Sequence, residues 1–331
     1  FLCGFILTVK DGENMTKDAV YAALAGTEDY VSGSALAKEL GISRNSVFKA
    51  VEQLRKTGIP VEAVKNRGYR LRADGRLREA AITAGLATEQ IGRTLYLHPL
   101  LPSTNDRVKS LAAEGAPHGL LVVADHQSAG RGRRGRVFFS PPGSGVYMSV
   151  LLRTPMNARK VGLLTSMAAV AVAEAIESLL AVKVQIKWVN DLFINGKKVC
   201  GILTEGSFSA ETLQCAYAVV GIGINVSTAA FPSDLQKTAS SLLLEAGRAP
   251  DRAALIAAVC NRLEARFETM DSGDFLAESR RRSAVLGKKV TVLADGRYTA
   301  VARAIDDDGH LVVETADGLK TLHAGEVSLR L

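Results

Sequence analysis

Gly130-Arg131-Gly132-Arg133-Arg134-Gly135-Arg136 is the stretch on which the fold turns. Its first six residues match GxGxxG, the glycine pattern of a dinucleotide-binding loop. Such a loop leaves a strand and opens a helix, whereas this chain continues Val137-Phe138-Phe139-Ser140-Pro141-Pro142-Gly143, a poor helix start. An acidic residue is also due about 20 residues further on to meet a ribose, and Val150-Leu151-Leu152-Arg153 supplies none. A doubly wound nucleotide fold is thereby excluded. What remains is a flexible loop of glycines and arginines inside a folded domain. Bare backbone amides and forked guanidiniums suit a phosphate or a carboxylate. An RNA- or membrane-binding basic tract is the alternative, but such tracts sit in tails and not between strand-like sequences.

Outward from the loop, strand-like runs at 95–97, 120–124, 184–188 and 216–224 mix with helical patterns at 160–180 and 252–267. The spacing predicts one mixed α/β domain over 76–282, the only segment long enough to bury a sizeable core. Four polar motifs stand out in it. Pro102-Ser103-Thr104-Asn105 follows a strand and offers hydroxyl and amide groups. Lys187-Trp188-Val189-Asn190-Asp191 places an amide and a carboxylate at a strand end. Asn195-Gly196-Lys197-Lys198 is a hairpin turn leading into Val199-Cys200-Gly201-Ile202-Leu203. Gly221-Ile222-Gly223-Ile224-Asn225 ends a buried strand, with glycines where something approaches the backbone closely. Taken singly, each reads as well as a helix cap, a turn, a solvated lysine pair or a bulge.

Residues 15–75 predict helix, tight turn, helix and hairpin. Residues 34–40 form one helix, Gly41 ends it in a left-handed conformation, and Ser43 caps a second helix at 44–56. Val47, Val51 and Leu54 make its buried stripe, leaving Arg44, Asn45, Ser46 and Lys49 off the stripe. A basic wing follows, with Lys65 and Arg67 around an Asn-x-Gly turn. This is the winged helix-turn-helix layout, in which the second helix fits the major groove and the wing meets phosphates. Winged helices also serve as protein-contact modules, with their charge merely solvated. Residues 1–14 read as an N-terminal extension. At the other end, 283–331 alternates apolar strands with Asp295-Gly296, Asp308-Gly309 and Asp317-Gly318 turns, predicting a small antiparallel sheet or barrel of four or five strands.

Across 331 residues, 47% are apolar and 23% charged, which excludes disordered and fibrous classes. The formal charge is +7, from 41 basic and 34 acidic side chains. Residues 43–72 carry eight basic and two acidic groups, and 130–136 carry four arginines and no acid, so the rest of the chain is mildly acidic. Each basic feature needs its own explanation. Cys3, Cys200, Cys215 and Cys260 lie far apart without a CxxC pair, the usage of a reducing cytoplasm. The apolar start 1–9 has no basic segment before it and no cleavage site after it, so no signal peptide is expected. The best membrane candidate, 161–173, contains Thr165 and Ser166 and runs into Glu174, short of the ~20 apolar residues that a span needs. No membrane association is expected.

Together and in this order, GRGRRGR, KW-x-ND, GKKVCGIL and GIGIN resemble the biotin–protein ligases. With the winged helix in front, the chain resembles their bifunctional bacterial form, ligase plus biotin-operon repressor, from about residue 16 to 331. The resemblance implies an α+β protein: a winged helix, a class II synthetase-like catalytic domain and a C-terminal SH3-like barrel. It implies that ATP and biotin, with Mg²⁺, give biotinyl-5′-AMP and pyrophosphate, and that the biotinyl group passes to a carrier-domain lysine of acetyl-CoA carboxylase. It also implies a homodimer on operator DNA when adenylate is bound. By the same resemblance, Ser103, Thr104, Asn105, Gln127, Gly201 and Gly221 belong to the biotin site. Gly130, Arg131, Gly132 and Arg133 match the loop that folds over the intermediate. Lys198 matches the lysine on the reacting carboxyl and phosphate oxygens. Arg136, Phe138, Asn190, Asp191 and Asn225 match the nucleotide side, with Asp191 toward Mg²⁺, and Arg330 matches a residue reaching back to ATP. The family's usual proline in KWPND is Val189 here, and an aromatic position often held by Trp is Phe138; both keep the apolar bulk.

A carboxylate attacking an α-phosphate brings two anions together, so positive charge must be preplaced, and Arg131, Arg133, Lys198 and Mg²⁺ are the suppliers expected. An ionised carboxylate needs no general base, which agrees with five histidines (His98, His118, His126, His310, His323) that form no triad or metal motif. In the second step the carrier lysine must lose a proton, with Asp191 one possible assistant. Three rivals remain open at this point: a lipoate-type ligase, a transcription factor that senses biotin without catalysis, and an active ligase whose winged helix no longer represses.

Overall fold

The computed structural model describes residues 9–331 apart from 26, 28, 57–58, 72–76, 154–155, 209–214, 294–296, 324–326 and 330–331. The N-terminal segment is α1 (Val9–Ala25), α2 (Gly33–Leu40), α3 (Arg44–Lys56) and the hairpin β1 (Val61–Val64) and β2 (Gly68–Leu71). Ser32 caps α2 by accepting from Ala35 N, and Gly41 at φ 65° ends it. Ser43 Oγ accepts from Ser46 N at 3.0 Å, so α3 starts where the sequence placed its cap. The hairpin pairs Val61 with Leu71 and Val64 with Gly68, and Asn66 takes the left-handed conformation at φ 66°. Val47, Val51 and Leu54 join Val20, Tyr21, Leu24 and Leu36 in one apolar cluster.

The central segment contains α4 (Glu79–Ala84), β3 (Leu95–His98), α5 (Thr104–Ala113), β4 (Leu121–Ala124), β5 (Gly145–Leu152), α6 (Ala158–Leu179), β6 (Gln185–Lys187), β7 (Asp191–Ile194), β8 (Lys197–Phe208), β9 (Cys215–Asn225), α7 (Leu242–Ala246), α8 (Arg252–Glu268) and α9 (Asp274–Arg281). Its seven strands run β3-β4-β5-β9-β8-β7-β6, parallel between β3 and β4 and antiparallel elsewhere. Period-2 alternation sends Val146, Met148, Val150 and Leu152 of β5, and Ala218, Val220, Ile222 and Ile224 of β9, into the core with α6 and α8. Tyr147, Ser149, Gly221, Gly223 and Asn225 therefore point to the opposite face, as do Gly201, Leu203 and Glu205 of β8. α5 covers one end of that face through Val108, Leu111 and Ala112. The other end is open.

Two sequence expectations need correction here. α6 is 22 residues long and meets the length and apolarity of a membrane span, unlike the shorter run expected; 72% of its apolar window is nevertheless buried inside the fold, as in a core helix. The loop 130–136 is also not a free chain of bare amides. Gly132 N donates to Arg136 O at 2.7 Å and Phe138 N to Gly130 O at 2.9 Å, closing a tight turn around Arg133–Gly135. No helix follows it; the next element is β5, antiparallel to β4, unlike the strand–loop–helix of a dinucleotide-binding fold.

The C-terminal segment is β10 (Lys289–Val292), β11 (Tyr298–Ile305), β12 (Leu311–Thr315), β13 (Gly318–Leu322) and β14 (Val327–Leu329). They form one antiparallel sheet in the order β13-β12-β11-β10-β14. Asp308-Gly309 and Asp317-Gly318 fall at the β11–β12 and β12–β13 turns; Asp295-Gly296 lies outside the described residues.

Candidate functional sites

The open end of the glycine face is a cavity of about 550 Å³. Of the residues singled out from the sequence, Ser103, Thr104, Asn105, Gln127, Arg131, Gly132, Arg133, Arg136, Phe138, Asn190, Asp191, Lys198, Gly201, Gly221 and Asn225 all line it. Gly130 stands just behind, where a Cβ would come 2.6 Å from Ser140 Oγ and 2.7 Å from Phe138 O. Arg330 lies outside the described residues. The lining carries eight basic side chains and one acid, Asp191. Lys187 and Gly223, which belong to KW-x-ND and GIGIN but carry no role there, also line it, and Lys237, Lys288, Phe231 and Leu235 are members that lie in none of these motifs. Lys288 comes from the C-terminal segment, whose fold alone brings it there.

The glycines make room for particular partners. A Cβ on Gly221 would sit 2.1 Å from Asn105 Oδ1, and one on Gly223 would sit 2.5 Å from the Phe138 ring. Gly201 pairs with Gly223 across the β8–β9 ladder, and its Cβ would meet Lys198 Nζ at 3.1 Å and Phe138 at 3.3 Å. The GIGIN strand end and the glycine of GKKVCGIL are thus a trough for one aromatic ring and one amide.

At the polar end, Ser103 stands before α5 with no side-chain cap bond, leaving its hydroxyl to the cavity. Gln127 Oε1 accepts from Thr104 N at 2.8 Å and lies 3.1 Å from Thr104 Oγ1. Ser149 Oγ lies 2.7 Å from Thr104 Oγ1 and 2.6 Å from Asn105 Oδ1. Asn105 Nδ2 donates to Glu205 Oε2 at 2.7 Å and to Leu203 O at 3.3 Å. Glu205 also pairs with Lys109 at 2.9 Å and Arg131 at 3.4 Å. Burial alone would raise the Glu205 carboxyl, but donation from Asn105 and Lys109 holds it below its ordinary value. Arg131, expected to face the reacting anions, is paired instead with Asp106 and Glu205 at the cavity rim.

At the cationic end, Lys198 Nζ pairs with Asp191 Oδ1 at 2.7 Å and stands 6.0 Å from the Phe138 ring centre. Lys198 is held from its backbone, donating to Thr238 O at 2.9 Å and accepting from Ser240 N at 2.8 Å. Asn190 Nδ2 donates to Ile202 O at 3.1 Å, and Arg133 reaches Asn190 Oδ1 at 3.4 Å. Asn225 Nδ2 donates to Ser240 O at 2.9 Å, while its Oδ1 is buried without a hydrogen-bond partner. A buried acceptor left open at a cavity wall is a binding group for an N–H donor. Among the described residues no cluster of three metal-ligating side chains occurs.

Trp188 lines the cavity with its neighbours but is anchored from the other side. Its Nε1 donates to Gly309 O at 2.9 Å, and its ring packs in the C-terminal core with Val285, Val290 and Leu311. The N-terminal segment is joined to the cavity by three consecutive residues. Asp125 accepts from Tyr21 and pairs with Arg252, His126 Nε2 stands 2.9 Å from Asp18 Oδ2, and Gln127 is the pocket residue above. The sequence holds no local signal for these long-range pairs.

On the winged helix, Arg44, Asn45, Phe48 and Lys49 are exposed along α3, and Ser46 is half-buried against Ser43. In the wing, Lys65 is exposed, while the Arg67 guanidinium stacks 4.4 Å from the Tyr30 ring centre with Arg70 at 4.4 Å. A separate basic surface therefore exists, built from residues that do not line the cavity.

Comparison with known proteins converges on one family. Residues 97–225 match the Biotin/lipoate A/B protein ligase family, 17–70 an HTH domain, and 285–330 the Biotin protein ligase C terminal domain. The bifunctional ligase/repressor BirA of Bacillus subtilis is 40% identical over 322 residues, 95% of this chain and 98% of that protein. BirA of Escherichia coli is 31% identical over 93% of this chain and 95% of its own length. The biotin protein ligase of Aquifex aeolicus, solved with biotin and ATP, superposes with a TM-score of 0.62 at 29% identity, covering 72% of this chain and 99% of that one. An α+β chain with a winged helix, a seven-stranded ligase sheet and a C-terminal antiparallel sheet, alike to such relatives over nearly its whole length, belongs to the BirA family of bifunctional ligase/repressors.

Proposed function

We propose that this chain is a cytoplasmic ATP-dependent biotin–protein ligase that also represses a biotin operon, with units at 15–75, 76–282 and 283–331. The carrying observation is the polarity of one cavity: hydroxyls and amides of Ser103, Thr104 and Gln127 at one end, Lys198 and arginines at the other. Biotin's ring system takes the polar end and its carboxylate points to Lys198. A carboxylate oxygen attacks the α-phosphorus of ATP, the bond to the β-phosphate bridge breaks, and pyrophosphate leaves. Lys198 and Arg133 hold the oxygens on which negative charge gathers. The adenine lies by Phe138, with its amino group toward Asn225 Oδ1. Arg136 serves the phosphates, and Arg131 leaves its rim carboxylates to join them as the loop closes and excludes water from the mixed anhydride. A carrier-domain lysine of acetyl-CoA carboxylase, deprotonated with help from Asp191, then attacks the acyl carbon and AMP departs.

Asp191 fits a Mg²⁺ ion in the manner usual for nucleotide enzymes, one carboxylate completed by substrate phosphates and water. That ion would neutralise phosphate charge when bound. On the winged helix, Arg44, Asn45, Ser46 and Lys49 read or clasp operator DNA, and Lys65 and Arg67 meet its backbone, with two adenylate-loaded copies on one operator.

The ligase reading is tested by biotin-dependent ATP–pyrophosphate exchange. Folded protein that exchanges nothing with biotin but does so with lipoate would replace it with the lipoate reading, and biotin binding without label transfer would leave a sensor. The repressor reading predicts operator binding that falls steeply with salt, its log–log slope shrinking by about 1 for each phosphate-contacting lysine or arginine removed.

A further inference from the structure

Glu205 is assigned no role by motif or family match, yet it anchors a chain of buried polar groups that ends in the pocket. Asn105, Ser149 and Thr104 are all nearly inaccessible, so each hydrogen must find its partner within the chain. The Glu205 carboxylate and the Leu203 carbonyl can only accept, and both face Asn105 Nδ2. The amide is thereby turned with Oδ1 toward Ser149, which must donate its one hydrogen to it at 2.6 Å. With that hydrogen spent, Ser149 Oγ offers Thr104 Oγ1, 2.7 Å away, only lone pairs, so the one Thr104 hydroxyl hydrogen is shared between Ser149 Oγ and Gln127 Oε1 at 3.1 Å. With its own hydrogen so committed, Thr104 Oγ1 presents lone pairs to the cavity, beside Gln127 Oε1, which already accepts from Thr104 N.

We propose that Glu205 is a positioning residue that sets the hydrogen-bond polarity of the pocket, making its Thr104–Gln127 corner an acceptor matched to an N–H of a cyclic urea. This rests on the biotin reading above, since biotin's ureido ring supplies that N–H. A ligand with a ring oxygen in place of the N–H would meet acceptor against acceptor and be rejected.

The test measures binding of biotin and of its cyclic-carbamate analogue, in which one ureido N–H is replaced by oxygen. Glu205→Met keeps length but offers no acceptor; Glu205→Gln can still turn its amide oxygen to Asn105. Wild type should prefer biotin strongly. Glu205→Met should bind biotin about tenfold or more weakly and lose most of its discrimination, while Glu205→Gln recovers both and the KM for ATP stays put. Lys109→Ala, which removes the neighbouring ion pair alone, should discriminate as wild type does. Equal impairment of the Met and Gln variants would overturn the proposal, because a charge role with Lys109 and Arg131 would then explain it. Undiminished discrimination in Glu205→Met, or in Glu205→Ala should the Met variant not fold, would overturn it too. Wild-type protein that binds no biotin would instead sink the ligase reading itself.

Discussion

The two faces of the seven-stranded sheet are written in the same strands, residue by residue, and do opposite things. In β9, Val220, Ile222 and Ile224 fill a core under α6 and α8, while Gly221, Gly223 and Asn225 between them are stripped or polar. The helix face achieves close packing with side chains. The cavity face achieves it by omitting them, so that Phe138 and Asn105 can lie against bare backbone. The difference teaches that a glycine-rich strand end here is a moulded wall, while its alternate residues pack the core on the other face.

The sharpest break of that contrast is on the cavity side. Lys198→Ala should lower exchange by roughly 10²–10³-fold, the cost of removing a preplaced charge from a developing anion, with an unchanged thermal melt. Normal turnover would exclude the role given to Lys198. Next come added Cβ atoms. Gly223→Ala should displace the Phe138 ring and raise the KM for ATP about tenfold, and Gly221→Ala should push on Asn105 and act on biotin instead, as expected of overpacking by 1–3 kcal/mol. If both raised the two KM values equally, the trough would not be divided as described.

On the helix face the expectation reverses. Ile224→Ala, fully buried and pointing away from the cavity, should cost about 2–5 kcal/mol of stability while both KM values stay within a factor of two or so of wild type. The smallest effect concerns the brace behind that face, where α9 is tied to α6 through Glu278, Arg282 and Glu177. Donation from Arg281, and from Arg282 beside it, holds the Glu278 carboxyl at about 2. Its folded value lies below the unfolded one, so its contribution is full above about pH 4.3 and is lost as pH falls toward 2. Glu278→Gln should therefore be less stable by ~1 kcal/mol at neutral pH, a figure reduced for the exposed Arg281 partner, and the gap should close in acid. A constant gap would place the effect elsewhere.

Much of this was legible in the chain. The apolar runs became β3, β4, β6 and β9, and the periodic stretches became α6 and α8, because local alternation is what sequence patterns record. The Asn195-Gly196 turn was equally readable, both residues taking positive φ. What escaped was every feature that needs distant parts of the chain. Nothing near Arg131 announces its pairing with Asp106 and Glu205, and nothing in Asp125-His126 announces Tyr21 and Asp18. Nothing around Asn105 announces that its amide nitrogen donates to Glu205, a hundred residues away. Lys288 reaches the cavity only through a segment that folds separately in sequence.

Trp188 has one more implication. It belongs to the stretch matched as ligase, yet its indole completes the core of the stretch matched as C-terminal domain, ending on Gly309 O. Modules that can be cut apart in an alignment are thus keyed together in space by this indole, one residue from Lys187 and two from Asn190 on the cavity wall, alongside the Arg159–Asp308 ion pair. Anyone grafting this ligase sheet onto another scaffold must bring along a receptor for that indole, or the cavity wall loses its keystone.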